Sequence, residues 1–266
     1  MSTEKTIIKE IGITEYIDKD AMSTVYDTGN IVEVVTPKNP STSVSNYRNL
    51  GNNQSVNIQT GEVFDHKPNA MKQKQNLNKS FAYLRRLVNC NIVGDPTELH
   101  LVLTYANDMY DAKKLKSDFK NFWLRFKYCF PSLSWLYISI FEPQVNGRWH
   151  IHVLLKADEP VYLDYNKVRE LWGLGRVHIS PVPFADNFGA YFTKDMALSD
   201  RQKNYPSGFR CYTCSQNVKR PVTERLSYKK AIEIVENCPL LFSQTVHVKD
   251  GSQVLNTIFY EQYKKK

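Results

Sequence analysis

The chain has 266 residues, of which 42% are hydrophobic and 12% aromatic, a composition that supports a folded globule and excludes a disordered chain. Its formal net charge of +8 fits a polyanionic partner such as nucleic acid, and many ordinary soluble proteins also carry such a charge. The sequence contains no apolar run long enough to cross a membrane, and the opening MSTEKTIIKE lacks the apolar stretch of a secretory signal. We therefore expect a cytoplasmic protein.

The first 75 residues are expected to form an extension with short strands and loops. Residues 31–36 (IVEVVT) are β-branched and strand-like, and residues 57–64 predict a hairpin that turns at Thr60-Gly61. The segment between them, residues 37–55, is rich in Ser, Asn and Pro and predicts a loop.

From residue 77 onward the hydrophobic pattern is more regular. It predicts, in order, a helix at 77–93, a strand at 98–105, a helix at 111–130, strands at 135–142 and 148–156, a helix at 164–172, a strand at 176–180 and a helix at 186–198. Asp164 and Asp186 are expected to cap the last two helices. This β-α-β-β-α-β order predicts an α+β fold over residues 76–200, an antiparallel sheet of about five strands with helices packed on it, of the split β-α-β kind. Residues 201–266 are expected to form a C-terminal extension with a hairpin about Asp250-Gly251.

The sharpest chemical signal is the pair His150 and His152 in the strand WHIHVLL. Residues two apart in a strand point to the same face, so both imidazoles can converge on one ion. Only six histidines occur in the chain, and burying two unpartnered imidazoles in an otherwise apolar strand would be costly. The pair therefore predicts a metal site, against the alternative of an ordinary exposed strand face.

A third ligand depends on the length of the loop that precedes the histidine strand. A two-residue loop would place Glu142 opposite Ile151, on the wrong side of the sheet. A three-residue loop that closes on a left-handed Gly147 places Glu142 opposite His150, on the histidine face. Glu142, His150 and His152 would then form a two-histidine, one-carboxylate metal site; with the other loop, Glu142 is a solvated carboxylate at a strand end.

A candidate nucleophile lies downstream, in the helix at 186–198. Tyr191 and Lys194 are three residues apart and share a helix face, with Asp195 beside them. A tyrosine can attack covalently when a metal or base activates its hydroxyl and a cation supports the developing charge. The chain has 16 tyrosines, so an ordinary core or surface tyrosine is the alternative. In the same helix, two small residues are expected to allow close backbone approach and two apolar ones to pack inward: Gly189 and Ala190, and Phe192 and Met196.

In this order the motifs resemble those of the HUH endonuclease superfamily, and more closely those of the single-tyrosine rolling-circle replication initiators of plasmids, phages and small single-stranded DNA viruses. The strand end Leu103-Thr104-Tyr105 is similar to motif one, His150-Ile151-His152 to motif two, and Tyr191-Phe192-Thr193-Lys194 to motif three. A carboxylate just upstream of motif two, as Glu142 is, belongs to the same pattern. The resemblance covers residues 77–194.

The resemblance implies an RRM-like nuclease core in which Glu142, His150 and His152 bind Mg²⁺ or Mn²⁺ and thereby polarise a scissile phosphate. Tyr191 would attack single-stranded or supercoiled origin DNA, leaving a 5′-phosphotyrosine bond and a free 3′-hydroxyl. Lys194 would steady the phosphate or the phenolate. No G-x-x-x-x-G-K-[ST] motif occurs, so unwinding is expected from a separate helicase and extension from a DNA polymerase.

Basic side chains on the helices at 77–93 and 111–130 are expected to contact DNA. Because they cluster on helix faces next to the predicted core, we expect them to bind phosphates and not to read bases. They are Arg85, Arg86, Lys113, Lys114 and Lys116.

Three other interpretations stay open on the sequence. A single-tyrosine transposase or a mobilisation relaxase shares the chemistry, but short transposases lack so long an N-terminal extension and many relaxases carry three histidines. A basic DNA-binding regulator fits the charge and leaves the histidine pair and Tyr191 unexplained. A zinc hydrolase fits the histidines and Glu142 and gives no reason for the +8 charge.

Cys211 and Cys214 form a lone CxxC, which predicts packed or surface thiols.

Overall fold

A computed structural model of the protein describes residues 5–40, 46–51, 54–65, 70–185, 187–194, 196 and 199–265. The helices in these ranges are α1 (Ala70–Asn91), α2 (Ala112–Cys129), α3 (Tyr165–Trp172), α4 (Phe188–Thr193), α5 (Ser199–Gln202) and α6 (Tyr228–Val235). The strands are β1 (Lys5–Ile11), β2 (Met22–Asp27), β3 (Ile31–Pro37), β4 (Tyr47–Gly51), β5 (Gln54–Asn57), β6 (Val63–Asp65), β7 (Glu98–Thr104), β8 (Leu136–Pro143), β9 (Trp149–Lys156), β10 (Val177–Pro181), β11 (Tyr212–Cys214), β12 (Val222–Ser227), β13 (Leu240–Asp250) and β14 (Gln253–Lys264). Among the described helices, none combines the length and apolar character that crossing a membrane requires.

The chain divides into two compact units. Its helices and antiparallel sheets confirm the predicted α+β class. One unit is built from residues 1–25, 33–75 and 224–263, and the other from residues 26–32, 76–223 and 264–266. The described strands form a six-stranded, a five-stranded and a three-stranded sheet, so the sheet content exceeds the single five-stranded sheet predicted from the sequence.

The two ends of the chain share the six-stranded sheet, whose order is β1-β13-β14-β3-β2-β12. β1 pairs antiparallel with β13, from Lys5 opposite Asp250 to Ile11 opposite Gln244. β13 and β14 form the terminal hairpin that the sequence predicts about Gly251, which has a positive φ of 58°. The segments that the sequence divides into separate N- and C-terminal extensions are therefore joined by strand pairing.

The three-stranded sheet corrects one prediction. β5 and β6 form the expected hairpin, but β4 (Tyr47–Gly51) lies inside the segment predicted as a loop. Local composition favours a loop there, and pairing with β5 overrides it by giving the backbone of β4 hydrogen-bond partners. The ring of Tyr47 also packs edge-on against Phe64, with centroids 5.7 Å apart.

The five-stranded sheet of the second unit has the order β10-β7-β9-β8-β11 and is antiparallel throughout. Its elements follow the predicted order: β7, α2, β8, β9, α3, β10 and then α4. The predicted cap of α3 is confirmed, since Asp164 accepts a hydrogen bond from the backbone N–H of Lys167. β11 comes from the segment predicted as the C-terminal extension and adds an edge strand, with Thr213 opposite Ser139.

Side chains alternate across β8 and β9, and this gives the sheet two different faces. The α2 face carries Phe141, Ile151 and Val153, which are fully buried. Phe119 of α2 packs against Phe141 with ring centroids 5.9 Å apart. The α4 face is the opposite side, and the ring of Phe192 from α4 packs against it.

Candidate active site

The hairpin that joins β8 to β9 has the loop length on which the third ligand depends. The backbone N–H of Gln144 donates to the carbonyl of Arg148 at 2.7 Å, so three residues, 145–147, form the loop. Gly147 has a φ of 84°, a left-handed conformation that residues other than glycine rarely adopt. The resulting register sets Glu142 opposite His150, as predicted.

Glu142, His150 and His152 meet on the α4 face. The Oε2 atom of Glu142 lies 3.1 Å from Nε2 of His150 and 2.9 Å from Nε2 of His152. The two Nε2 atoms are 2.7 Å apart. Three potential ligand atoms within 4.8 Å of one another make this a group that could hold a metal ion.

The protonation states of Glu142 and His152 suit a divalent cation. Burial disfavours the Glu142 carboxylate, but hydrogen bonds with His150 and His152 outweigh burial and hold the pKa of Glu142 below its usual range. Burial also lowers the pKa of His152, although its hydrogen bond with Glu142 opposes that change. An ionised carboxylate and a neutral imidazole are the forms that bind metals, so these two residues fit the donor set.

Arg201 on α5 holds the other oxygen of the carboxylate, and sequence analysis did not indicate this contact. Its Nη1 donates to Oε1 of Glu142 and forms an ion pair with it. Arg201 lies beyond the core predicted to end at residue 200, in a short helix without a distinctive pattern. The contact leaves Oε2 of Glu142 directed at His150 and His152.

His100 on β7 is a second residue that sequence analysis missed. Its Nε2 lies 3.0 Å from Nδ1 of His152, on the side of that imidazole away from Glu142. The available signal was a histidine in the strand ELHLVLT with the parity of the α4 face. Using that signal would have required the register between β7 and β9, where Val102 faces His152.

The helix that carries Tyr191 is shorter than predicted and begins with a different cap. α4 covers Phe188–Thr193, and the side chain of Asn187 accepts a hydrogen bond from the backbone N–H of Ala190. The predicted cap, Asp186, lies outside the described residues, as do Asp195 and residues 197–198. Asn187 caps α4 because its side chain accepts from an N–H group of the first turn that has no partner within the helix.

α4 is held closely against α1, as the small residues at its start predict. A Cβ atom on Gly189 would come within 2.3 Å of the backbone oxygen of Arg85, so the approach requires glycine. The amide oxygen of Asn89 accepts from the N–H of Gly189 at 2.7 Å, and its nitrogen donates to Asn187 at 2.8 Å. Met196 is buried, as predicted for an inward-facing residue.

Tyr191 and Lys194 line the same cleft as the three candidate ligands. This cleft, of about 550 Å³, is also lined by His100, Phe192 and Arg201, among others. The Tyr191 side chain is 69% exposed, so it is available to a large substrate. Arg201 pairs with Glu142 and Lys194 lines the same cleft, and these two cations favour an anionic group there.

The structure does not bring the predicted DNA-binding lysines to this cleft. They lie on α2, across the sheet from it; Lys114 forms an ion pair with Asp118 at 2.8 Å, and Nζ of Lys116 lies 4.1 Å from the ring centroid of Phe209. Burial and nearby Arg210 lower the pKa of Lys116. On α1, the guanidinium of Arg86 lies 3.4 Å above the ring of Tyr26. DNA binding by Arg85, Arg86, Lys113, Lys114 and Lys116 stays a prediction.

Comparison with known proteins adds one finding. Residues 98–200 match a family model described as replication-associated protein, of the ORF2 type. This stretch includes the three candidate ligands, Tyr191 and Lys194, and it is similar to replication-associated proteins. The chain matches no curated protein and no solved structure.

Proposed function

We propose that this protein is a metal-dependent DNA-nicking and strand-transfer enzyme that initiates rolling-circle replication of a plasmid or phage-like element. The observation that carries the proposal is the meeting of Glu142, His150 and His152 in one cleft with Tyr191 and Lys194. The match of residues 98–200 to a replication-associated family supports it independently. The sheet order β10-β7-β9-β8 supports a split β-α-β, RRM-like HUH nuclease core.

Glu142, His150 and His152 would hold Mg²⁺ or Mn²⁺. A bound divalent ion polarises the scissile phosphate and orients it for in-line attack. The two imidazoles and the carboxylate would leave coordination positions open to DNA oxygens. Arg201 would keep Glu142 turned toward the histidines, because it holds the opposite carboxylate oxygen.

Tyr191 would be the nucleophile. Its phenol loses a proton to water, and the oxygen forms a bond to phosphorus while the bond from phosphorus to the 3′-oxygen breaks. The departing 3′-oxygen takes up a proton from water, which leaves a 3′-hydroxyl and a 5′-phosphotyrosine. Lys194 would stabilise charge on the phenolate or the phosphate. Because the phosphodiester energy is kept in the new bond, a later strand transfer can reseal DNA without ATP.

The products fix the partners that the reaction needs. A free 3′-hydroxyl is a primer for a DNA polymerase, and origin DNA is the substrate. A separate helicase would open the duplex as the new strand grows. These partners follow from the proposed reaction.

Trapping the covalent intermediate tests the proposal. The full chain is incubated with Mn²⁺ and a labelled library of single-stranded oligonucleotides, then denatured in SDS; a labelled band at the size of the protein plus DNA is expected. EDTA, or alanine at both His150 and His152, should remove the band while the protein stays folded. A wild-type protein that shifts DNA in a native gel but forms no adduct would identify a DNA-binding regulator and contradict the proposal.

A further inference from the structure

We infer that His100 is a positioning residue that fixes His152 in the orientation and tautomer required of a metal ligand. The inference rests on the proposed metal site. It is supported by the surroundings of the Nδ1 atoms of the two candidate histidine ligands, whose Nε2 atoms are directed at Glu142. Nδ1 of His152 lies 3.0 Å from Nε2 of His100, whereas Nδ1 of His150 is buried without a hydrogen-bond partner among the described residues.

The β7–β9 pairing brings His100 to this position. His100 and Val102 have the same parity in β7, and Val102 lies directly opposite His152. His100 is therefore the diagonal neighbour of His152 on the α4 face, a spacing that long or aromatic side chains can bridge. The centroids of the two imidazole rings are 5.2 Å apart and the ring planes lie 19° from parallel.

The direction of the hydrogen bond follows from the chemistry of a ligand. If Nε2 of His152 offers its lone pair to a metal ion held beside Glu142, a neutral His152 must carry its hydrogen on Nδ1. Nε2 of His100 is then the acceptor, and the hydrogen of His100 lies on its own Nδ1. Metal-bound histidines commonly donate their second N–H to such a partner, which fixes the tautomer and the ring orientation.

The geometry separates positioning from ligation. Nε2 of His100 faces the back of the His152 ring, on the opposite side from Nε2 of His152 and Glu142. The cluster of potential ligand atoms accordingly consists of Glu142, His150 and His152 in the described part of the chain. His100 therefore acts through His152.

The same pair of rings supports the helix of Tyr191. Phe192 packs edge-on against both imidazoles, with centroid distances of 5.2 Å to His100 and 5.5 Å to His152. The residue next to the proposed nucleophile thus rests on the ligand and on its positioning residue. A change in the tilt of the His152 ring would therefore alter the packing of α4 as well as the coordination of a bound ion.

Two substitutions at residue 100 separate the hydrogen bond from ring packing. His100→Phe keeps an aromatic ring for Phe192 and removes the acceptor, whereas His100→Gln loses the ring and supplies an amide oxygen that can accept from His152. We expect His100→Phe to weaken Mn²⁺ binding about 10–100-fold and His100→Gln to restore most of the affinity. His178→Ala, which removes an exposed histidine from neighbouring β10, is the matched control and should bind like the wild type.

Calorimetric titration of each full-length variant with Mn²⁺ supplies the affinities, and unfolding in EDTA shows that each variant is folded. Wild-type affinity in His100→Phe would overturn the role of His100 and leave the metal site standing. A loss in His100→Gln equal to that in His100→Phe would also overturn it, because the acceptor would then be irrelevant. A wild-type protein that binds no Mn²⁺ would overturn both the metal site and this inference.

Discussion

Along β8 and β9, the two faces of the five-stranded sheet differ in burial and in polarity. On the α2 face, Phe141 and Ile151 are fully buried, and Phe141 packs against Phe119. On the α4 face, their chain neighbours Glu142, His150 and His152 are polar and border an open cleft. Because side chains alternate along a strand, residues of the buried apolar core are the direct chain neighbours of candidate metal ligands. Stability and chemistry should therefore be separable by single substitutions in adjacent positions.

The largest expected difference is between neighbours in β9. Ile151→Ala should lower the free energy of unfolding by about 2–5 kcal/mol, because it removes buried methyl groups from the α2 face and leaves a cavity. Mn²⁺ affinity should change little as long as the protein is folded. His150→Ala should do the reverse, losing Mn²⁺ binding with a small change in stability.

Urea unfolding of both variants measures the change in stability, and calorimetric titration measures the change in Mn²⁺ affinity. Val153→Ala is the matched control on the α2 face, and it should resemble Ile151→Ala with a smaller loss, since valine has one methylene fewer. The separation of the faces would be refuted if Ile151→Ala stayed as stable as the wild type or abolished Mn²⁺ binding in a folded protein.

The next effect concerns the register that places Glu142 on the α4 face. Glu142→Gln would keep the size of the side chain and remove the negative charge that this register directs at the histidines. We expect this variant to lose Mn²⁺ affinity. Val145→Ala, in the exposed loop of the same hairpin, keeps the loop length and should bind Mn²⁺ normally. Normal affinity in Glu142→Gln would show that Glu142 is dispensable for the site.

The smallest expected effects come from basic side chains on the two faces. Lys113→Gln should weaken binding to all single-stranded sequences alike and lower the slope of log affinity against log salt by about 0.7, one phosphate contact. Arg176→Gln should weaken binding more, because Arg176 is exposed immediately before β10 and has the parity of His178. Across the sheet, His178 lies opposite Val102, and Val102 lies opposite His152. Fluorescence anisotropy at several salt concentrations measures both slopes. A loss at Lys113 confined to one DNA sequence would contradict the expected phosphate contact.

Much of the candidate site followed from local rules. Strand parity joined His150 to His152, and the loop that closes on Gly147 set Glu142 opposite His150. Both rules act within one hairpin, where the register is fixed by a few residues of chain. The close approach required at Gly189 was likewise visible in the sequence of its own helix.

The parts that could not be predicted depend on distant pairing. His100 reaches His152 only through the register of β7 with β9, strands that are separated by α2 and β8. Arg201 reaches Glu142 from a short helix whose sequence resembles any exposed turn. The same reason explains β4, which exists because β5 is available to pair with it. Sequence periodicity describes an element's own face and says little about which strand will lie beside it.

Replacing Tyr191 by phenylalanine isolates the oxygen on which the proposed chemistry rests. The ring is largely exposed, so stability and Mn²⁺ affinity should be unchanged while the covalent adduct disappears. Tyr162→Phe and Tyr165→Phe are suitable controls, since both side chains are exposed and should leave the adduct intact. Tyr205 is a poorer control, because its buried hydroxyl donates to the carbonyl of Phe141 at 3.1 Å.

The most direct measurement is the identity of the residue that carries DNA. Wild-type protein is incubated with Mn²⁺ and single-stranded DNA, the adduct is digested with protease and nuclease, and the modified peptide is sequenced by mass spectrometry. We predict one modified residue, Tyr191, joined to a 5′-phosphate, and no modified peptide when EDTA is present. A nucleotide on another tyrosine, or an adduct that persists in Tyr191→Phe, would contradict the proposed mechanism.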